Sequence, residues 1–208
     1  MQVSLNNSIK GLESLFSIFN ERYYNNELEK PIISISPDST SGAYGWCTSG
    51  RVWNNVSNEN STDMVTGYYE INMCSEYLNR SLEEISETLL HEMAHLYNVQ
   101  NGITDTSRNG YYHNKNFKKC AEKHGLIVYC CDKYGYCDTK LNNEAKTFVS
   151  TLSGYNFDVF RIKADKSSKP KQSTRKLVCP SCGNIIRVTK MNINVICGDC
   201  LVSFQEMR

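Results

Sequence analysis

Two histidines four residues apart enclose a glutamate in the segment His91-Glu92-Met93-Ala94-His95. On an α-helix, residues four apart lie on one face, so His91 and His95 can present ring nitrogens to the same metal ion. Glu92 lies next to the first ligand and can accept a proton from a water that the metal activates, without itself binding the metal. The spacing therefore predicts a zinc hydrolase site with Glu92 as the general base.

The residues around this motif predict a helix independently of it. Ser81 followed by Glu84 is typical of a capping box at a helix start, and apolar residues then recur at spacings of three and four. These apolar residues are Leu82, Ile85, Leu89, Met93 and Leu96. We expect the helix to cover residues 82–99. The alternative is an ordinary amphipathic helix that carries two histidines by chance.

A catalytic zinc ion needs a third protein ligand and one open position. Two further histidines remain, His113 and His124. His113 lies at the start of a short helix predicted over residues 116–124, where a loop can bring it back to the site and Phe117 can anchor the helix in the core. His124 lies at the other end of that helix, where its ordinary role is a favourable interaction with the helix dipole. We therefore favour His113, with His124 as the alternative.

The C-terminal region carries two C-x-x-C pairs, Cys179/Cys182 and Cys197/Cys200. Each pair is a turn that directs two thiolates at one ion, and two pairs complete a tetrahedral Cys₄ zinc site. Such closed sites are structural, so we expect no chemistry here. We expect a hairpin of residues 185–188 with 193–196, and backbone room supplied by glycine at positions 183 and 198. A redox role for the pairs is the weaker alternative, because it leaves the second matched pair unexplained.

Six other cysteines have no clear metal spacing. Ten cysteines in a chain whose N-terminus lacks an export signal favour thiols and metal ligands over disulfides. We expect Cys47, Cys74 and Cys120 to be small buried apolar residues. The remaining three are Cys130, Cys131 and Cys137. They could clamp a loop through a metal or a disulfide, but no recognised ligand spacing supports either.

The net charge of +1 hides an asymmetry between the two ends of the chain. Residues 161–208 carry ten Lys and Arg against three acidic residues, a net charge of +7. Residues 1–160 carry thirteen against nineteen, a net charge of −6. A basic tail on an acidic body favours contact with a polyanion such as nucleic acid, and the alternative is a solvated linker rich in lysine.

Composition limits the other classes of protein. A hydrophobic content of 40% and a charged content of 22% are typical of a globular protein in water. No run of eighteen apolar residues predicts a membrane span, and the N-terminus does not resemble a secretion signal. We therefore expect no membrane partner and a cytoplasmic location, associated with the nucleoid or, for a viral protein, in the host cytoplasm. The sequence does not predict an oligomeric state.

The remaining pattern alternates helices and strands. We expect helices over 8–28 and near 143–152, and strands over 32–36, 42–47 and 68–73. Asn- and Gly-rich stretches at 54–63 and 101–112 predict loops. Residues 163–176 are rich in Lys, Ser and Pro without apolar periodicity, which predicts a linker. Tyr111 and Tyr112, next to the third histidine, could donate a hydrogen bond to an oxyanion, but packing is their more common role.

The HEMAH motif, followed by His113 and Phe117 in an H-x-x-x-F pattern, resembles the SprT-like family, which includes bacterial SprT and the Spartan DNA–protein crosslink proteases. The resemblance covers most of residues 8–160, including a Gly45-Trp46 strand. It implies an α+β zincin-like metallopeptidase domain in which His91, His95 and His113 bind zinc and Glu92 is the base. The family usually has glycine after the third histidine, where this chain has Asn114, a residue that tolerates positive φ well. Family members often end in a zinc ribbon.

We therefore expect a zincin domain over residues 1–162, a basic linker over 163–176 and a Cys₄ zinc ribbon over 177–208, with one catalytic and one structural zinc ion. The expected activity is peptide-bond hydrolysis, with a protein substrate lying extended beside the strand near Gly45 and Trp46. The basic tail would recruit the enzyme to nucleoprotein. An alternative is a nucleic-acid-binding regulator with a vestigial zincin site. A metal-dependent nuclease with H-x₃-H-x₅-H is disfavoured because Asn101 replaces its last histidine.

Overall fold

The computed structural model describes most of the chain and separates it into two compact units, Met1–Lys163 and Ala164–Arg208. The described residues are 4–38, 42–54, 67–157, 159–162 and 174–206. Most of the predicted loop at 54–63 and residues 163–173 of the predicted linker lie outside them.

The N-terminal unit mixes helices and strands, as the sequence predicted. Its α-helices are α1 (Leu5–Tyr24), α2 (Leu82–Gln100), α3 (Lys115–Lys123) and α4 (Asn143–Thr151). Its strands are β1 (Ile32–Ser36), β2 (Gly45–Cys47), β3 (Glu70–Cys74), β4 (Thr106–Ser107), β5 (Tyr112–His113), β6 (Leu126–Cys131) and β7 (Gly135–Leu141). A 3-10 turn, Ser75–Tyr77, follows β3.

Helix α2 is the centre of this unit. The predicted capping box is present: the Ser81 side chain accepts a hydrogen bond from the Glu84 N–H, and the Glu84 carboxylate accepts one from the Ser81 N–H. This exchange satisfies two of the N–H groups that a helix start leaves without partners. The apolar residues of its inward face are fully buried: Ile85, Leu89, Leu90, Met93 and Leu96.

Helix α1 begins and ends earlier than the predicted range of 8–28. The Ser4 hydroxyl accepts a hydrogen bond from the Asn6 N–H and caps the start of the helix. At the other end Asn25 and Asn26 adopt left-handed conformations, with φ of 52° and 60°, and these stop the helix. The buried Asn20 amide then bonds both backbone groups of Leu28 and holds the chain as it leaves.

The first sheet has the strand order β1-β3-β2, with β1 parallel and β2 antiparallel to β3. Strand β2 is therefore an edge strand in the part of the chain that the structure describes. It lies against α2, and Gly45 is the residue that permits this approach. A Cβ at Gly45 would lie 2.8 Å from the Asn72 carbonyl oxygen and 3.3 Å from Cγ of Glu92.

The second sheet has the order β4-β5-β7-β6. Strands β6 and β7 form an antiparallel hairpin, and β5 joins β7 in parallel through the pairing of His113 with Gly135. The predicted loop at 101–112 therefore contains the short strand β4 and the first residue of β5. A two-residue strand has too little periodicity to be recognised from sequence.

The C-terminal unit contains a small antiparallel sheet of the order β10-β8-β9. Its strands are β8 (Arg175–Val178), β9 (Ile185–Val188) and β10 (Gln205–Glu206). The predicted pairing of 185–188 with 193–196 was wrong, because β9 pairs with β8 instead. The first C-x-x-C turn is itself the connection between β8 and β9, which the sequence did not predict. Strand β8 also includes Arg175 and Lys176, the last two residues of the predicted linker.

The helices of the described residues include none that is both long and apolar enough to cross a bilayer. Helix α1 has 20 residues, but polar side chains interrupt it throughout.

We expect Gly45→Ala to destabilise the protein by about 1–3 kcal/mol, since the added methyl group meets backbone that cannot yield easily. Gly50→Ala is the matched control, because a Cβ there meets nothing within 4 Å. Urea unfolding of both variants measures the difference. Equal urea midpoints in the two variants would contradict the close packing of Gly45 against β3 and α2.

Candidate functional site

Three imidazole rings converge beside α2. His91 and His95 lie one turn apart on that helix, and His113 reaches them from β5. The Nε2 atom of His113 lies 3.3 Å from Nε2 of His91 and 3.1 Å from Nε2 of His95. The structure therefore brings together the three histidines that the sequence selected as ligands, in one group whose ligand atoms lie within 4.8 Å of one another.

Two of these rings are oriented by hydrogen bonds at their other nitrogen. Nδ1 of His95 lies 2.7 Å from the Asp105 carboxylate, which can only accept, so the ring donates from Nδ1. Nδ1 of His91 lies 3.1 Å from the hydroxyl of Thr139 on β7. With the proton on Nδ1, a neutral ring directs the lone pair of Nε2 into the shared space. A carboxylate partner of this kind fixes the tautomer of a metal-binding histidine, whereas the Thr139 hydroxyl can donate or accept and orients the ring of His91.

His113 is held by its backbone. Its N–H donates to the carbonyl of Tyr134 at 2.9 Å, and its neighbour across the sheet is Gly135. A Cβ at Gly135, whose φ is +69°, would collide with the His113 carbonyl oxygen and the Tyr112 ring. Glycine is therefore required for β7 to approach β5 this closely. Nδ1 of His113 is buried and has no hydrogen-bond partner among the described residues.

Phe117 forms an apolar wall behind the three rings. It is fully buried, and its ring centroid lies 4.6–4.7 Å from the centroids of all three imidazoles. The sequence predicted that Phe117 anchors α3 in the core, and it does so directly behind the site. An apolar neighbour of this kind excludes water and strengthens the electrostatic interactions within the group.

Burial governs the protonation of the three histidines. It lowers the pKa of His91 well below its usual value, and it lowers the pKa of His113 to about 4, with the charge of His95 acting in the same direction. Burial also opposes charge on His95, but the hydrogen bond to Asp105 and the charges of Glu92 and Asp105 outweigh it and raise the pKa of His95. At least two neutral rings therefore face one another at near-contact distance.

Two of the three separations between these nitrogens match those of a zinc site. In a tetrahedral site with Zn–N bonds of about 2.0–2.1 Å, neighbouring ligand nitrogens lie roughly 3.3 Å apart. The separations of 3.1 and 3.3 Å agree with that geometry. Lone pairs this close repel unless a proton or a cation lies between them, and a metal ion is a cation that three lone pairs can share. The donor set of three imidazoles is one that catalytic zinc sites use.

Glu92 lies beside the triad without joining the group of ligand atoms. It is 5% exposed, and burial raises the pKa of its carboxyl to about 7, opposed by the charge of His95. A carboxyl group that titrates near neutral pH suits a general base. Glu92 also packs where Gly45 leaves space, between α2 and the edge strand β2.

The alternative ligand His124 lies elsewhere. It is 3% exposed, its Nδ1 lies 2.8 Å from the Cys120 carbonyl oxygen, and its ring stacks on Tyr24 at 4.0 Å between centroids. It occupies the C-cap position of α3, as its position beside Gly125 suggested. Tyr111 is 65% exposed, and the Arg108 guanidinium lies over the Tyr112 ring.

The four C-terminal cysteines form a second group of ligand atoms within 4.8 Å. Cys179 and Cys197 are buried, and the sulfurs of Cys182 and Cys197 lie 3.7 Å apart. Tetrahedral zinc with Zn–S bonds of about 2.3 Å sets ligand sulfurs roughly 3.8 Å apart. The backbone N–H of Cys182 lowers the pKa of the Cys179 thiol, which favours the thiolate form that metals bind.

The two C-x-x-C turns have the same backbone hydrogen bonds. The carbonyl of Cys179 accepts from the N–H of Gly183, and the carbonyl of Cys197 accepts from the N–H of Leu201. Both acceptor–donor pairs are four residues apart, and both donors are left-handed, with φ of 73° and 56°. The left-handed conformation of Gly183 agrees with the expected need for glycine at that position. The same expectation for Gly198 was wrong, because the left-handed residue of the second turn is Leu201.

Sequence reasoning missed Asp105 and Thr139, which orient two of the ligands. Asp105 lies ten residues after His95 in a loop, and its carboxylate also accepts a hydrogen bond from the Asn98 amide at 3.0 Å. No fixed spacing links such partners to a metal motif. A buried position on a strand was the only signal for Thr139, which is 6% exposed.

Comparison with known proteins assigns the chain to a family. The model of the SprT-like family matches residues 12–138, which include α2, β5 and all of the triad. The chain therefore belongs to the SprT-like family. It is also 35% identical over 63 residues to Transcription factor S of Sulfolobus acidocaldarius, a match that covers 30% of this chain and 57% of that protein. No solved structure matches the chain.

We expect Asp105→Asn to weaken zinc binding by the triad about 10–100-fold, because the His95 ring loses the carboxylate that fixes its tautomer and raises its basicity. A chain ending at residue 162 isolates this site from the tail cysteines, and chelator competition measures the affinity. Asp138→Asn, an exposed position on β7, is the control. An unchanged affinity in Asp105→Asn would remove Asp105 from the site.

Proposed function

We propose that this protein is a zinc-dependent metallopeptidase with a zincin-like N-terminal domain. The observation that carries the proposal is the convergence of three imidazole Nε2 atoms from α2 and β5, with the buried carboxyl of Glu92 beside them. Membership of the SprT-like family supports the same activity. His91, His95 and His113 would hold the zinc ion.

A bound zinc ion would supply a Lewis acid that polarises the scissile carbonyl and makes water more acidic. Glu92 accepts the proton of the attacking water and returns it to the leaving amine. Asp105 keeps the lone pair of His95 directed at the shared space, and Thr139 orients the ring of His91. Phe117 excludes water from behind the rings.

The edge strand β2 is the proposed binding surface for the peptide. One side of β2 pairs with β3, and no other strand among the described residues pairs with its second side, which would leave backbone groups for an extended chain. A Cβ at Gly45 on this strand would lie 3.3 Å from Cγ of Glu92. A peptide added to β2 would therefore pass close to the general base.

We further propose that the four tail cysteines hold a structural zinc ion in a ribbon whose sheet begins at Arg175, joined to the peptidase domain of residues 1–162 by the basic segment 163–174. The two matched turns and the sulfur separation of 3.7 Å support this assignment. The net charge of +7 over residues 161–208 supports nucleic acid as the partner of this region.

A second candidate function is nucleic-acid-binding regulation without catalysis. The partial match to a protein named Transcription factor S favours it. Against it stands the completeness of the triad together with Glu92, since loss of the glutamate alone would abolish hydrolysis while the metal site survived. The glutamate variant below separates the two functions.

We expect Glu92→Gln to reduce cleavage of an unfolded protein substrate about a hundredfold or more, because the amide cannot accept the proton of water. Elemental analysis should still find two zinc ions per chain, since Glu92 is not a ligand, whereas His113→Ala should retain one. Hydrolysis at the wild-type rate in Glu92→Gln would overturn the mechanism.

The matched control is Glu83→Gln on the same helix. Glu83 is about half exposed and pairs with Lys146 at 3.1 Å, an interaction of the surface type that contributes little. This variant should cleave at the wild-type rate. A wild-type protein that binds zinc at the triad and cleaves no protein substrate would favour the regulatory function.

We expect the basic tail to direct the enzyme to nucleoprotein. Truncation after residue 162 should leave cleavage of a free unfolded protein unchanged and reduce cleavage of a DNA-bound protein. Binding of the full chain to DNA should weaken steeply with salt, because phosphate contacts release counterions. Sequence preference should be small, since Phe204 is the single aromatic residue after residue 161.

The salt titration and the truncation test this recruitment separately from the chemistry. An affinity independent of salt would exclude phosphate contacts as the source of binding. Equal activity of the truncated chain on free and DNA-bound protein would indicate that the ribbon docks on protein instead.

A further inference from the structure

Two cysteines outside both metal groups lie in contact at the β6–β7 hairpin. The sulfurs of Cys131 and Cys137 are 3.0 Å apart. The described residues place no third histidine, cysteine or carboxylate with them in a metal-binding group, since the groups of that kind are the histidine triad and the four tail cysteines. A pair of thiols without further ligands is suited to disulfide chemistry.

A bulge in the hairpin creates this contact. The pairing of Tyr129 with Asp138 would, in regular register, place Cys130 opposite Cys137, but the register shifts so that Cys131 pairs with Gly135. Two residues of β7 therefore oppose one residue of β6, which re-aims the side chains at that point. Cys130 is exposed and takes no part in the contact, since consecutive strand residues point to opposite faces.

The two thiols are unequal, as a nucleophile and its resolving partner must be. The Cys137 thiol and the Tyr134 backbone N–H donate toward the sulfur of Cys131 and lower its pKa. Burial, together with the same contact, raises the pKa of Cys137. Cys131 is also only partly buried, so a small oxidant can reach it.

The hairpin turn between these cysteines holds the third histidine. The Tyr134 carbonyl accepts the His113 N–H, and Gly135 is the residue paired with His113. Both lie inside the seven-residue segment that a Cys131–Cys137 bond would close. A covalent bond across this segment would restrict the opening of the turn, and with it the motion of His113.

We propose that Cys131 and Cys137 form a reversible thiol–disulfide pair whose oxidation locks the turn that holds His113. With hydrogen peroxide as oxidant, the Cys131 thiolate attacks one peroxide oxygen, the O–O bond breaks, and Cys131 becomes a sulfenic acid as hydroxide leaves and is protonated to water. Cys137 then attacks the Cys131 sulfur, the S–O bond breaks, and the departing hydroxide takes the Cys137 proton. The two thiols lose two electrons, and the peroxide becomes two molecules of water.

The bond can be tested directly on the full-length, zinc-loaded protein. After brief exposure to hydrogen peroxide and alkylation of the remaining thiols, trypsin cuts at Lys133 between the two cysteines. A disulfide then joins HGLIVYCCDK (residues 124–133) to YGYCDTK (residues 134–140), and dithiothreitol separates them. Cys130→Ser is the matched control and should crosslink as the wild type does, whereas Cys131→Ser should not. Unlinked peptides from the wild type, or a crosslink that needs Cys130, would overturn the pair.

The effect on the turn has its own measurement. Hydrogen exchange at the His113 amide, which donates to Tyr134, should be several times slower in the oxidised protein than in the reduced one, and Cys137→Ser should show no such difference. Equal exchange in the two redox states would show that the bond does not reach His113. Neither measurement depends on peptide hydrolysis, so the redox pair and the proposed peptidase activity fail independently.

Discussion

The close approach of three imidazole Nε2 atoms is the constraint on which the N-terminal site depends. Nε2 of His113 lies 3.1 and 3.3 Å from the other two Nε2 atoms, so the surrounding structure must hold each ring in place. Helix α2 supplies two rings through its four-residue spacing, which costs nothing beyond helix formation. The third ring comes from a two-residue strand and depends on the sheet around it.

That dependence explains why β7 matters as much as the motif helix. Through Gly135 it positions the backbone of His113, through Thr139 it orients the ring of His91, and its bulge brings Cys137 to Cys131. One strand therefore connects the third ligand, the orientation of the first ligand and the thiol pair. A change at the hairpin would reach His113 through the backbone hydrogen bond between its N–H and the Tyr134 carbonyl.

The sequence predicted the parts of the site that follow from regular periodicity. The spacing of His91 and His95, the capping box at Ser81 and the apolar face of α2 are properties of a helix, and all are present. The α1 boundaries differed, because Asn25 and Asn26 end that helix through local left-handed conformations. Asp105 could not be found from sequence, since a loop places it beside His95 without any repeating pattern.

The C-terminal unit shows the same division between spacing and backbone conformation. Four cysteines in two matched pairs predicted the cluster, but the hairpin connection was assigned to the wrong segment. The spacing of the cysteines does not give the backbone conformation of their turns. Each C-x-x-C turn needs a left-handed residue four positions after its first cysteine, and only one of the two turns has glycine there. Leu201 adopts that conformation at a cost of roughly 1–2 kcal/mol, so the second turn must be held by something stronger than its own backbone preference. A metal ion bound by all four sulfurs is the interaction in this unit that could supply it.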